Sequence, residues 1–112
     1  LGRFAVHPRY YGTFPRILGH YVREREVLTL EAAIRKMTSI AADRFGLSGR
    51  GRIGQGAFAD LVLFDPQTVS DAATFELPHV FPAGIDLVMV NGGVAWSGRG
   101  LERRAGRVLR SA

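Results

Sequence analysis

The spacing of apolar and polar residues predicts helices in the first half of the chain. Apolar residues recur at helical spacing from residue 14 to residue 25, and we predict a helix there. Thr13 is a suitable N-cap for this helix, and Pro15 suits its first turn. The preceding residues 1–12 lack regular periodicity and contain Gly12, so we predict an ordered loop.

Two further helices are predicted before the midpoint of the chain. Thr29 is a candidate N-cap, and the apolar residues between Leu30 and Met37 follow at helical spacing. Glu31 lies where a negative charge favours the N-terminal end of the helix dipole. A short third helix is predicted over residues 40–45, ending at Gly46, which can adopt the left-handed conformation that closes a helix.

The second half of the chain has the pattern of strands. Residues 59–65 form an apolar run typical of a largely buried strand. Residues 87–90 and 93–96 flank Asn91-Gly92, and this dipeptide tolerates the positive φ angles of a tight hairpin turn.

This order of elements bears on domain organisation. A self-contained α+β domain usually has a sheet of three or more strands, whereas only two or three convincing strands follow the helices here. We therefore expect the strands to need partners outside this chain. The most plausible boundary within it lies near residues 47–56, where glycines are frequent.

Composition excludes several classes of protein. The 112 residues are 46% apolar and 22% charged, as in an ordinary globular protein. The chain has no cysteine, which excludes disulfides, thiolate zinc sites and cysteine nucleophiles within it and favours a cytoplasmic protein. No apolar stretch reaches the roughly 20 residues that span a bilayer, and we expect no membrane partner.

The formal net charge of +5 raises the alternative of nucleic-acid binding. The distribution of charge weakens that alternative, because Lys36 is the one lysine and the arginines are spread along the chain, with a concentration between Arg99 and Arg110. Such a concentration is more often a solvated or domain-packing surface. We expect no nucleic-acid partner.

The densest set of functional side chains is HPRYYGTFPRILGHYVRE, from His7 to Glu24. Arg9 is its strongest candidate, since a guanidinium fork can bind a carboxylate through two parallel hydrogen bonds. The alternative for Arg9 is a surface salt bridge.

Other polar residues are weaker candidates. His7, His20 and His79 do not have the one-turn spacing that makes a local metal chelate, and we predict no metal ligand in this chain. Asp60 and Asp65 bracket the predicted strand, where carboxylates usually serve turns. The residues therefore indicate no catalytic group.

Five segments, taken in order, carry a resemblance to a known family. They are HPRYYGTFPRILGHYVRE, LTLEAAIRKMT, RFGL with RGRIGQGAFADLVLFDP, TVSDAATFE and FPAGIDLVMVNG. Together they resemble the C-terminal quarter of D-aminoacylases, the N-acyl-D-amino-acid deacylases of the amidohydrolase superfamily. GRIGQGAFADLVLFD is similar to a segment of many amidohydrolases, whereas HPRYYGTFPRILGHYVRE with TVSDAATFE is typical of the deacylases.

The resemblance implies an α/β parent protein with a (β/α)8 barrel and a small β-sandwich. Residues 1–50 would be the end of the barrel, and residues 51–112 the C-terminal strands of the sandwich. Zinc bound elsewhere in the parent would activate water for hydrolysis of an N-acyl-D-amino acid to a D-amino acid and a carboxylate. The metal ligands and catalytic aspartate would precede this chain, and Arg9 would bind the substrate α-carboxylate.

On this interpretation the partner of the chain is the rest of the parent polypeptide, and the chain alone is inactive. The alternative is a non-catalytic binding or oligomerisation module, which would associate through unpaired strand edges and uncovered apolar faces.

Overall fold

A computed structural model describes residues 6–110, which form two compact units. The first unit combines the described part of Leu1–Leu30 with Asp65–Gly84, and the second combines Glu31–Phe64 with the described part of Ile85–Ala112. The chain crosses between units after residues 30, 64 and 84, and none of these crossings lies within residues 47–56. The assignment of residues 1–50 and 51–112 to two domains of a larger protein stays a prediction.

The first unit begins with a helix that starts earlier than predicted. Helix α1 is Arg9–Arg16, and it continues without interruption as a π-helix, Ile17–Glu24. The predicted helix over residues 14–25 is therefore confirmed as helical. The predicted loop over residues 1–12 is wrong from Arg9 onward, and its first five residues lie outside the described part of the chain.

The physical reason for this early start is visible in four residues. Pro8 occupies the N-cap with helical angles, so the proline initiates the helix. Gly12 is buried within it, and a Cβ there would lie 3.0 Å from the Cβ of Asp71. Thr13 and Pro15, expected at a helix start, both lie inside α1, where the Thr13 hydroxyl donates to the Arg9 carbonyl at 2.8 Å.

The other part of the first unit is the Asp65–Gly84 segment. The backbone N–H of Gln67 donates to Asp65 Oδ1 at 2.8 Å, so this carboxylate serves a turn as predicted. An isolated antiparallel bridge joins Ser70 to Ala83. Val69 is completely buried, and it forms the core of this unit with Leu18, Ala73 and the buried face of α1.

Two short helices open the second unit, close to their predicted positions. They are α2, Leu30–Met37, and α3, Ser39–Arg44. After α3, Gly46 has φ +64°, and its N–H donates to the Asp43 carbonyl at 3.2 Å. The N–H of Leu47 donates to the Ala42 carbonyl at 2.9 Å, which completes a Schellman motif and confirms the predicted stop.

An antiparallel sheet forms the rest of the second unit. Its strands are β1 (Leu61–Phe64), β2 (Ile85–Val90), β3 (Gly93–Ser97) and β4 (Gly100–Leu101), and they pair in the order β1-β2-β3-β4. Asn91 and Gly92 have φ +49° and +78° between β2 and β3, which confirms the predicted hairpin turn. The described chain is thus a helical part with a small antiparallel sheet.

Strand β1 is not the buried strand that its apolar run predicts. It lies at one edge of the sheet, and Leu61, Val62 and Leu63 are 37%, 54% and 59% exposed. An apolar run predicts burial only if the protein supplies atoms to cover both faces. Residues 6–110 do not supply them for β1.

Within residues 6–110, no helix has the length and apolar character needed to cross a membrane.

Candidate functional site

Arg9 is the first residue of α1, and its side chain is exposed. Its backbone N–H donates to Nδ1 of His7 at 3.1 Å, and its carbonyl accepts the bond from Thr13. Among residues 6–110, no carboxylate forms an ion pair with the Arg9 guanidinium. The surface salt bridge considered as an alternative is therefore not made within this part of the chain.

Four other arginines have partners within their own units. Arg16 pairs with Asp71 at 3.3 Å, Arg52 pairs with Asp43 at 2.7 Å, and Arg50 pairs with Asp60. Nη1 of Arg23 donates to two backbone carbonyls, those of Pro66 at 3.1 Å and Val69 at 2.7 Å. These arginines have structural roles, whereas the Arg9 guanidinium forms no ion pair with any carboxylate of residues 6–110.

The surface around Arg9 is a shallow, open depression of about 350 Å³. Its lining is formed by the beginning of α1 and contains both a cation and exposed aromatic rings, those of Tyr10 and Phe14. A cation beside apolar surface suits a ligand that carries one carboxylate and an apolar group.

The turn that carries Arg9 contacts the Asp65–Gly84 segment on both sides of Arg9. Two residues earlier, the His7 ring lies edge-on to Phe75, with ring centroids 5.0 Å apart. Two residues later, the Tyr11 hydroxyl is 3.3 Å from Nδ1 of His79. The Tyr11 ring also lies edge-on to Phe81, with centroids 5.5 Å apart.

Further contacts follow along the same helical run. The Arg16–Asp71 pair is the main cause of a raised pKa of Arg16, first through the hydrogen bond and then through the charge of the carboxylate. At Gly19 a Cβ would lie 2.6 Å from the Val69 carbonyl oxygen, so the backbones approach as closely as glycine allows. The segments HPRYYGTFPRILGHYVRE and TVSDAATFE, which were paired through the family resemblance, therefore pack against each other.

The remaining candidates from the sequence do not assemble into a second site. His20 lies 2.9 Å from Glu24 one turn later, and this hydrogen bond is the main cause of a lowered pKa of Glu24. The described residues hold no group of three or more histidine, cysteine or acidic side chains that fits a metal ion. Residues 6–110 therefore do not form the zinc site that the family resemblance implies, which that resemblance places elsewhere in the parent protein.

Asp60 has a structural role in the second unit. Its Oδ1 accepts the backbone N–H of Asn91 at 2.8 Å, and Asn91 also accepts a bond from Arg50 at 2.7 Å. Arg50 lies over the ring of Phe58, 4.1 Å from its centroid. This network holds the β2–β3 turn and uses the carboxylate for structure, as the position of Asp60 beside the strand predicts.

Sequence reasoning did not find Tyr11, His79 or Phe81 as neighbours of the Arg9 turn. Tyr11 lies inside the quoted segment but was not among the candidates, and His79 was considered only as a metal ligand. His79 and Phe81 lie 68 and 70 positions after Tyr11 in the sequence, and no local periodicity relates residues that far apart. The one signal in the sequence was the resemblance that paired the segment containing Tyr11 with the segment that precedes His79.

Comparison with known proteins gives a consistent set of relatives. D-aminoacylase of Alcaligenes xylosoxydans xylosoxydans is 55% identical over 104 residues, which are 92% of this chain and 22% of that protein. A crystal structure of D-aminoacylase superposes with a TM-score of 0.90 at 51% identity, covering 93% of this chain and 22% of that one. The chain therefore spans about a fifth of the length of the relatives it matches.

A second solved structure is N-acyl-D-glutamate deacylase of Bordetella bronchiseptica, complexed with zinc and a phosphonate inhibitor that mimics the tetrahedral intermediate. It superposes with a TM-score of 0.88 at 46% identity and covers 94% of this chain and 22% of its own. The model of the amidohydrolase family matches residues 1–95. The chain belongs to the amidohydrolase family.

Proposed function

We propose that the chain is part of a zinc-dependent deacylase that hydrolyses N-acyl-D-amino acids, and that Arg9 binds the substrate α-carboxylate. The observation that supports this role is the exposed guanidinium of Arg9, which has no carboxylate partner within residues 6–110. Arg9 belongs to HPRYYGTFPRILGHYVRE, the segment that packs against TVSDAATFE. These two segments together are the part of the resemblance typical of deacylases. The similar D-aminoacylase and N-acyl-D-glutamate deacylase support the substrate class.

The chemistry assigned to Arg9 is binding and orientation. A guanidinium fork donates two parallel N–H bonds to a carboxylate, which fixes both the position and the plane of that group. One end of the N-acyl-D-amino acid is then fixed, so its amide bond meets the reacting groups in one orientation. Zinc, when bound, supplies activated water, and its ligands would lie outside the residues described here.

The same proposal extends to the parent architecture. Residues 1–50 would end a (β/α)8 barrel, and residues 51–112 would contribute strands to a β-sandwich. The exposed apolar strand β1 supports this, because it leaves an uncovered edge for other strands. The chain alone would be inactive. Cytoplasmic localisation and the absence of a nucleic-acid partner stay predictions.

Kinetics of the full-length protein test the role of Arg9. The substrates are an N-acetyl-D-amino acid and its primary amide, which lacks the carboxylate. Arg9→Met should lower kcat/KM for the acid at least about 100-fold, because two hydrogen bonds to a charged group are lost and each contributes about 1.5 to 3 kcal/mol. The value for the amide should change less than about twofold, since Arg9 has no carboxylate to bind there.

A matched control is Arg25→Met, which removes an exposed arginine at the end of the π-helix. It should leave kcat/KM unchanged for both substrates. Equal losses for the acid and the amide in Arg9→Met would contradict carboxylate binding by Arg9.

The alternative of a binding or oligomerisation module also has an observation in its favour. Strand β1 lies at the sheet edge and exposes the apolar side chains of Leu61, Val62 and Leu63, and such an edge strand is a common site of association. Light scattering on the full-length protein and on the 112-residue chain compares the two explanations. A monomeric full-length protein and a self-associating short chain would favour coverage of β1 by the parent polypeptide.

A further inference from the structure

Two residues, His7 and Tyr11, hold the turn that carries Arg9, and each lies two positions from Arg9 along the chain. His7 contacts Phe75, and Tyr11 contacts His79 and Phe81. All three contacted residues belong to one stretch of the Asp65–Gly84 segment, which the Ser70–Ala83 bridge closes at its base. The start of α1 is therefore held by a loop whose own ends are joined.

Helix geometry explains what these contacts do for Arg9. Successive residues of an α-helix are about 100° apart, so Tyr11 projects about 200° from Arg9 around the axis. The phenol packs against the loop while Arg9 is exposed to solvent. Fixing the Tyr11 side therefore fixes the direction in which the Arg9 side chain leaves the helix.

Backbone hydrogen bonds complete this arrangement. His7 accepts the Arg9 N–H through its ring and also contacts Phe75 with that ring. Thr13 donates to the Arg9 carbonyl from the following turn. The backbone N–H and C=O of Arg9 are thus both bonded to side chains. The remaining conformational freedom of Arg9 is mostly rotation about the bonds of its own side chain.

We infer that Tyr11 is a positioning residue for carboxylate recognition: its contact with His79 sets the orientation of the turn from which Arg9 binds the substrate. This inference rests on the proposed function of Arg9. Tyr11 acts through Arg9 and does not touch the substrate. Its removal should weaken recognition of the carboxylate and leave reaction at the amide bond unchanged.

The test uses Tyr11→Phe in the full-length protein, because phenylalanine keeps the ring contact with Phe81 and removes only the hydroxyl. For the N-acetyl-D-amino acid we expect KM to rise about fivefold at unchanged kcat, the effect of one lost hydrogen bond. For the primary amide we expect no change in either constant. Tyr21→Phe is the matched control, since it removes a hydroxyl from the same helical run away from the 75–81 loop.

A double variant separates positioning from general loss of structure. Because Tyr11 acts through Arg9, Tyr11→Phe should have no further effect on the acid substrate in an Arg9→Met background. An additive effect there, or an equal loss for acid and amide, would overturn the inference. An unchanged KM in Tyr11→Phe would also overturn it.

A different result would contradict the proposed binding of the substrate carboxylate by Arg9. If Arg9→Met leaves the preference for acid over amide unchanged, Arg9 does not bind the carboxylate. If Arg9→Met abolishes that preference and Tyr11→Phe does not reduce it, the role of Arg9 stands and the role of Tyr11 is wrong.

Discussion

The two units of the chain differ in how far their own residues complete them. In the first, the helical run of residues 9–24 contacts the Asp65–Gly84 segment through Arg16, Arg23 and two buried glycines. In the second, the sheet pairs its strands fully in order, yet leaves three consecutive apolar side chains of β1 exposed. The helical run of the first unit is thus packed against another segment of that unit, whereas the edge strand β1 of the second unit has exposed apolar side chains.

The two units also differ in which part of the family resemblance they carry, the part shared by many amidohydrolases or the part typical of deacylases. The segment typical of many amidohydrolases contains β1, and its apolar side chains lack cover within the described chain. The two segments typical of deacylases contact each other, and Arg9 lies at the start of that contact. The narrower resemblance therefore coincides with the region that carries Arg9, the proposed substrate-binding residue.

The largest expected effect breaks the packing of the first unit. In Gly19→Ala the new Cβ would lie 2.6 Å from the Val69 carbonyl oxygen, a backbone atom that cannot move alone. We expect a loss of about 2 kcal/mol in the free energy of unfolding, as for an overpacked core, measured by chemical denaturation of the full-length protein. Gly98→Ala is the control, because nothing lies within 4 Å of its added Cβ. Equal stability of both variants would show that the helix and the segment are not in close contact.

A smaller loss of stability is expected when Arg23, which bonds the helical run to the Asp65–Gly84 segment, is replaced. Arg23→Met leaves the carbonyls of Pro66 and Val69 without a guanidinium donor. We expect a loss of about 1 kcal/mol, because the part-buried Val69 carbonyl and the exposed Pro66 carbonyl lose their hydrogen bonds. Arg25→Met should have no effect on the same denaturation curve. If Arg23→Met behaves like Arg25→Met, these two hydrogen bonds do not stabilise the unit.

The smallest effect concerns the second unit and depends on pH. Burial raises the pKa of Asp60, but hydrogen bonds from the Asn91 N–H and Arg50 outweigh it and hold the pKa below its ordinary value of 3.8. Because the folded state has the lower pKa, this stabilisation is present above about pH 4 and is lost as the pH falls through the folded-state pKa.

Asp60→Asn should therefore cost less than about 1 kcal/mol at pH 7, since the pair is partly solvated. It should also reduce the acid sensitivity of unfolding below about pH 4. Thermal unfolding from pH 7 to pH 3 measures both effects, with the exposed Asp86→Asn as control. Unchanged acid sensitivity in Asp60→Asn would contradict a lowered pKa.

Local signals predicted the second unit better than the first. The stop of α3 at Gly46 and the turn at Asn91-Gly92 each depend on backbone angles that one or two residues determine. The start of α1 was missed because Gly12 is typical of a loop by itself. Within α1 this glycine permits the close approach of Asp71, far away in sequence, whose Cβ would lie 3.0 Å from an added Cβ.

The candidate site shows the same limit of local reasoning. Arg9 was proposed from its residue type, its neighbours and a resemblance, since a guanidinium has recognisable chemistry by itself. The residues that hold its turn were not found, because the contact between Tyr11 and His79 spans 68 positions. The exposure of β1 was missed for a related reason: an apolar run indicates what a strand prefers, but not what covers it.

The most direct test of the account is a crystal structure of the full-length protein with a non-hydrolysable N-acyl-D-amino acid analogue bound. We predict that both terminal nitrogens of the Arg9 guanidinium lie about 3 Å from the two oxygens of the α-carboxylate, with Tyr11 still in contact with His79. A carboxylate bound by other residues, with Arg9 directed to solvent, would contradict the proposed role of this chain in substrate recognition.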